Sequence, residues 1–302
     1  MTASMHDRTD VHTHVTNRIL ADLERGVRPW MKPWNAGHAA GRIARPLRAT
    51  GQPYRGINTL MLWITAMECG YASPFWLSYR QAQGLGGQVR RGEHGTLVVY
   101  AGPVTRTEPN DEGEESQRDI HFLKGYTAFN AEQVDGLPEH VQVPAPVPLE
   151  PMQRIAAADR FFAATGADVR TGGTRAYYAI GSDHIQMPPF ETFRDAESHA
   201  ATLGHETVHW TRHPSRLDRD LGRRRWGDEG YAAEELVAEI GSAFLCADLG
   251  ITPEVREDHA AYIASWLAVL RNDTRFIVSA AAHAQRAVDF LHGLQPPVRQ
   301  AA

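Results

Sequence analysis

Cysteine is scarce in this chain: its 302 residues hold two, Cys69 and Cys246. They lie far apart with no ligand-like spacing, which excludes a disulfide framework and a thiolate metal site and fits a reducing compartment. No apolar run approaches the roughly 18–20 residues that a membrane span needs. The opening stretch MTASMHDRTDVHTH lacks the apolar core of a secretion signal, so a cytoplasmic protein is expected. No internal period marks a repeat array, and no helix-turn-helix or zinc-finger spacing offers base-specific readout. Acidic residues are missing from one region in particular. Between Arg25 and His94 the only carboxylates are Glu68 and Glu93.

That gap makes the formal net charge of -5 uninformative on its own. Residues 1–100 hold 12 Lys and Arg against 6 Asp and Glu, while the rest of the chain holds 19 against 30. A basic first third on an acidic protein points to a localised polyanion site. The same distribution argues against a wholly acidic mimic of DNA.

Helical periodicity predicts helices over residues 14–26 and 57–69, each ended by a glycine, and a short one over 78–84. GTLVVYAG and HFLKGYTAFN read as strands, joined through the acidic run TEPNDEGEESQRD as a hairpin excursion. LPEHVQVPAPVPLEP is rich in proline and reads as an extended linker. Beyond it, helices are expected over 152–165, 195–212, 230–249, 256–270 and 274–293. RAYYAIGSDHIQMPP should form two short strands about a Gly-Ser-Asp turn, with IQMPP on an edge strand.

The helix over 195–212 carries LGHETVHW. Residues four apart share a helix face, so His205 and His209 can present two imidazole nitrogens to one ion. Glu206 is rotated by about 100° from His205, where a carboxylate can act on water beside the ion. A catalytic zinc usually takes three protein ligands and keeps one open position. The continuation H-x-x-G-x-x-H is absent, since WTRHPSRL follows. The helix YAAEELVAEIGSAFL offers instead Glu235 as third ligand and Glu239 as acceptor for the outer nitrogen of a ligand histidine. Glu234 is expected to be solvated. His213 reads as a helix-end histidine rather than a ligand. Tyr231, ahead of Tyr177 and Tyr178, is a candidate to stabilise an oxyanion. The His, His, Glu set suits zinc or another divalent metal such as manganese. A structural metal in a protein that merely coats DNA is the alternative.

Single-stranded nucleic acid needs cations for its backbone and flat rings for its bases. The first third interleaves them: Arg28, Trp30, Lys32 and Trp34 in RPWMKPWN; Tyr54, Arg55 and Asn58 in PYRGIN; then Trp76, Tyr79, Arg80, Arg90 and Arg91. Lys124 and Tyr126 follow in FLKGYTAFN. Trp63, inside an apolar helix, reads as core.

Together PWMKPW, PYRGIN, GYASPFWLSYRQA, GGQVRRGEHG, FLKGYTAFNAEQ, HETVHW and YAAEELVAEIGSAFL resemble the ArdC-type antirestriction proteins, whose N-terminal domain also occurs in TraC-type primases. The resemblance covers residues 11–292. It implies an α+β protein of two domains. An N-terminal α+β single-stranded-DNA-binding domain spans 8–138, a proline-rich linker 139–151, and a mainly helical zincin-like metallopeptidase domain with a small sheet 152–295. It also implies that His205, His209 and Glu235 hold the metal in the gluzincin manner, that Glu206 is the catalytic glutamate, and that incoming single-stranded plasmid or mobile-element DNA is protected from restriction.

Overall fold

The structure, a computed structural model, describes residues 11–30, 44–109, 115–142, 150–222, 229–253 and 259–297. Lys32 and Trp34 lie outside them.

The first helix, α1, spans Val11–Glu24 and buries Val15, Ile19 and Leu23 at a spacing of four, the repeat of one helix face. β1 is Leu47–Arg48 and α2 is Ile57–Cys69. The predicted bounds of α2 hold because Gly70 takes the left-handed φ of 72° and returns its N–H to Ala66 O, which only a glycine does cheaply. β2 (Phe75–Ser78) runs straight into α3 (Tyr79–Gly84), where Ser78 and Gln81 form a reciprocal capping box. β3 is Gln88–Val89. The long hairpin follows as β4 (Thr96–Pro109) and β5 (Glu115–Asn130), then β6 (Val134–Asp135).

The four-stranded sheet has the order β1-β2-β5-β4, and β3 pairs with β6 separately. Asn58, on α2, closes the free edge of β4: its amide donates to Val99 O and its carbonyl accepts from Val99 N, each at 2.7 Å. The start of the expected linker is instead a short helix, α4 (Glu139–Gln142), anchored by fully buried Val141. Residues 143–149 lie outside the described ones.

The C-terminal half opens with α5 (Pro151–Ala164) and a three-stranded sheet of β7 (Asp168–Thr171), β8 (Tyr177–Ala179) and β9 (His184–Met187), in the order β7-β9-β8. The stretch expected at an edge is therefore its centre: β9 pairs on both sides, with Ile185 and Met187 buried. Four helices complete the fold: α6 (Ala196–Trp210), α7 (Glu229–Leu249), α8 (His259–Asn272) and α9 (Phe276–Gly293).

One core joins the two halves. Val15, Ile19, Leu60, Trp63 and Ile64 from the first pack in the same cluster as Phe162, Val208, Phe244, Trp266 and Leu291 from the second. Arg45 crosses between them. It forms a two-pronged ion pair with Asp248 at 2.8 and 3.1 Å, and its guanidinium lies 4.1 Å from the centre of the Phe244 ring. No described helix is long and apolar enough to cross a membrane.

Candidate metal centre

Helix α6 starts where Asp195 accepts the Ser198 N–H at 2.7 Å, the usual stop for an orphan amide of the first turn. Its interior is buried on every side from Ala200 to Trp210, not along one stripe. Thr202 and Thr207 satisfy their buried hydroxyls on the carbonyls of Ser198 and Leu203, four residues back. Helix α7 is equally enclosed, with Gly230–Cys246 all buried. The two helices approach closely at Gly241, whose missing side chain makes room for Val208.

This packing brings His205, His209 and Glu235 to one point, with a ligand atom from each within 4.8 Å of the others. His205 Nε2 lies 3.1 Å from His209 Nε2, and Glu235 lies 3.5 Å from each of the two nitrogens. A tetrahedral ion with bonds of about 2.0–2.1 Å needs ligand atoms about 3.3 Å apart. The three donors already have that spacing, so the residues fit a divalent metal. Glu206 is buried beside them in sequence, 3% exposed.

The outer nitrogens are engaged as well. His209 Nδ1 lies 3.1 Å from Glu234 Oε1. Arg219 grips both oxygens of that carboxylate at 2.7 and 2.8 Å, and donates to Val208 O and Thr211 Oγ1 near the end of α6. Burial pushes the Glu234 carboxyl up, but the hydrogen bonds from Arg219 and His209 outweigh it and bring the pKa down to about 2. Burial pushes His209 down, and the Glu235 and Glu234 carboxylates more than reverse this, to about 10. Glu235 is held well below the carboxylate range: the imidazoles of His209 and His205 overcome its burial. The carboxylates thus favour positive charge at this point of the fold.

Glu234 is consequently not solvated, as its sequence neighbours suggested, but 2% exposed. Glu239, expected on an outer nitrogen, lies 3.8 Å from His205 Nδ1, beyond a hydrogen bond. The sequence did contain a signal for Glu234. A helix apolar all round is buried all round, so none of its carboxylates can escape to water. Nothing marked Arg219 as its partner.

Tyr231 stands one turn before Glu235 on α7. Its hydroxyl is 2.9 Å from Tyr262 Oη, and burial with the nearby Glu235 charge pushes its pKa up. Tyr178 is tied instead to Asp183 and Arg216, at 2.8 and 3.1 Å, and Tyr177 is exposed on β8. His213 lies beyond the end of α6, with Nδ1 2.7 Å from Ser215 Oγ.

The basic aromatic residues divide sharply. Trp30, Tyr54 and Trp76 are closed to a stacking base, being 0%, 2% and 0% exposed. Trp30 sits edge-on to Trp266, and Trp76 to Tyr71. Asn58 is used up on β4, as described. Arg28 is buried in an ion pair with Glu239 at 3.7 Å. Arg55 is exposed but paired with Asp289. Arg90 pairs with Glu93 at 2.7 Å and Asp135 at 3.6 Å. Tyr79, Arg80, Arg91, Lys124 and Tyr126 reach solvent. So do Arg48 and Tyr100, which sequence reasoning missed. Tyr100 pairs across the hairpin with Lys124, and Tyr126 lies two residues on, on the same face. The Arg48 guanidinium covers Tyr54 at 5.4 Å.

With this geometry in place, comparison with known proteins gives the class. Residues 156–283 match the zincin-like metallopeptidases, and the C-terminal half is a domain of that kind. Residues 9–129 match the N-terminal domain of the anti-restriction factor ArdC. The ArdC antirestriction protein of plasmid R388 has a similar structure. Its metal-free crystal form superposes with a TM-score of 0.80 at 48% identity, covering 94% of this chain and 97% of that one. Its Mn(II)-bound form gives 0.78 at 46%, covering 96% and 100%. Uncharacterized protein y4eC of Sinorhizobium fredii is 43% identical over 293 residues, 95% of this chain and 93% of its own. A DNA primase TraC of Escherichia coli is 39% identical over 302 residues, but these are 27% of its length. The chain belongs to the ArdC family of antirestriction proteins.

Proposed function

We propose that this antirestriction protein binds single-stranded DNA through its N-terminal half and uses a divalent metal in its C-terminal half to hydrolyse a protein bond, protecting incoming plasmid or mobile-element DNA. The observation that carries the metal reading is the convergence of His205, His209 and Glu235 at ligand spacing. His205 and His209 would hold the ion through Nε2 and Glu235 through its carboxylate. When bound, it supplies Lewis acidity, polarising an acyl carbonyl and acidifying water. The ligand set suits zinc, and the Mn(II)-bound neighbour supports manganese as an occupant.

Glu206 is the proton carrier in this reading. Its carboxylate takes the proton of the attacking water and passes it to the leaving amine. Tyr231, one turn before Glu235, would donate a hydrogen bond from its hydroxyl to a developing oxyanion. The relationship to TraC primases and the exposed Arg48, Tyr100, Lys124 and Tyr126 support the DNA half, in which cations follow the backbone and rings take bases without sequence preference.

Glu206→Gln tests the hydrolytic part. Metal-loaded parent should cut unfolded casein, and the variant should keep the metal and the oligonucleotide affinity while losing about 10²-fold or more of the rate. A variant as active as the parent removes Glu206 from the chemistry. A variant that is inactive on casein yet shields DNA from restriction as well as the parent selects a DNA-coating protein with a structural metal.

A further inference from the structure

Each imidazole of the centre faces a carboxylate, and each of those carboxylates faces an arginine. His209 is backed by Glu234 and Arg219 at 3.1 and then 2.7 Å. His205 is backed by Glu239 and Arg28 at 3.8 and 3.7 Å. Glu234 follows the loop that holds Arg219, so the first relay belongs wholly to the C-terminal half. Arg28 does not: it comes just after α1, inside the segment that matches the ArdC N-terminal domain.

We propose that Arg28 is a positioning residue for the metal centre, lent to the zincin-like half by the other half of the chain. The inference rests on the metal reading above and adds how that site is completed. Arg28 is no surface cation caught by chance. Its side chain is 9% exposed, that of Glu239 is 6% exposed, and burial lowers the arginine's pKa. An enclosed guanidinium is costly unless a carboxylate compensates it, and Glu239 at 3.7 Å supplies that charge. Glu239, 3.8 Å from His205 Nδ1, acts on that ring through its charge: it favours the proton on Nδ1 and so leaves Nε2 to meet an ion.

A second tether holds the segment. Trp30 meets Trp266 edge-on at 5.8 Å, Trp266 stacks on Tyr262, and Tyr262 stacks on Tyr231 beside Glu235. Trp266 also donates its indole N–H to Ala232 O of α7 at 3.0 Å. Residues 28 and 30 are thus locked to α7 on both sides of the ligand Glu235. Of the two relays, the one that ends on His205 is the one that starts in the first half of the chain, and its second link is about 1 Å longer than that of the Arg219 relay.

The test uses the full-length protein with Mn(II) for affinity and Co(II) for its visible ligand-field spectrum. Arg28→Met should bind Mn(II) about tenfold or more weakly and shift the Co(II) bands, and Arg28→Lys should recover most of both. Arg28→Met combined with Glu239→Gln removes both buried charges, which keeps the experiment possible if the single variant folds poorly. That double variant should lose no more affinity than the worse single one, because the two residues act in series. Parent-like affinity and spectrum in a folded Arg28→Met overturn the inference alone. So do losses that add in the double variant, or a weakened affinity with unchanged Co(II) bands. A parent that takes up neither ion refutes the metal reading and this inference with it.

Discussion

Two glycines show how narrowly single residues set the centre. Gly241 on α7 lies against Val208 of α6: a Cβ there would stand 2.9 and 3.0 Å from the two Val208 methyl groups. Val208 is fully buried and β-branched, so it has little freedom to turn away. Gly241→Ala should therefore push apart the helices carrying the histidines and Glu235. We expect a loss of about 1–3 kcal/mol in urea unfolding, as for overpacked cores, and weaker Mn(II) binding. Gly204, next to His205, is the contrast. Its added Cβ would meet Phe162 at 3.5 Å and Ser242 Oγ at 3.7 Å, ordinary contacts. Gly204→Ala should be neutral or stabilise by up to about 1 kcal/mol through helix propensity. If both variants lower stability alike, helix spacing at Gly241 is not what matters. The histidines were legible in the sequence because their spacing contains the helix geometry. Arg28 was grouped with the DNA contacts because a one-dimensional charge count cannot tell a cation facing water from one within 3.7 Å of a buried carboxylate.

Elements were legible where the chain signals its own ends. Gly70 closes α2 and Gly250, at φ 68°, follows α7, and both helices lie where periodicity placed them. β7 was missed because all four of its residues are exposed and DVRT shows no apolar alternation. Its partner β9 defines it, and that pairing is long-range information. Contacts between the two halves were equally invisible, and the ion pair from Arg45, just before β1, to Asp248 of α7 is one of them. Burial pushes the Asp248 carboxyl up, but His292 and Arg45 outweigh it, so its pKa lies below the ordinary value. A depressed carboxylate pKa contributes stability that is complete above the unfolded value of about 3.9 and is lost as pH falls through the folded value. Asp248→Asn leaves Arg45 buried without its partner, and about 3 kcal/mol of stability should go at neutral pH. The gap between parent and variant should be constant above about pH 4 and narrow as pH falls below it, read by urea unfolding. A gap that stays constant below about pH 4 as well would show that Asp248 is not ionised in the fold.

At the scale of the whole molecule, the charge of the basic first third divides between inside and outside, where the sequence presented it as one set. Part of its charge is spent inward: Arg28 on Glu239 and Arg45 on Asp248, joining the halves around the centre. What remains outward is a smaller set than the interleaved motifs suggested. Arg48, Tyr126, Tyr100 and Lys124 follow one another on one face of the sheet, beyond the buried Tyr54, Trp76, Val98 and Ala128 of the same face. Cations and rings there should contribute differently to single-stranded DNA binding. Removing one cation from a phosphate lowers the slope of log affinity against log salt by about 0.7. Arg48→Ala with Lys124→Ala should therefore flatten that slope by about 1.4 if both touch phosphates. Tyr100→Ala with Tyr126→Ala should instead weaken binding by about 1–3 kcal/mol per stacked base and leave the slope unchanged. Fluorescence anisotropy of a labelled oligonucleotide at several salt concentrations separates the two. If both pairs bind with the parent's affinity and slope, the DNA lies on another surface, with Arg80 and Arg91 the next cations to replace.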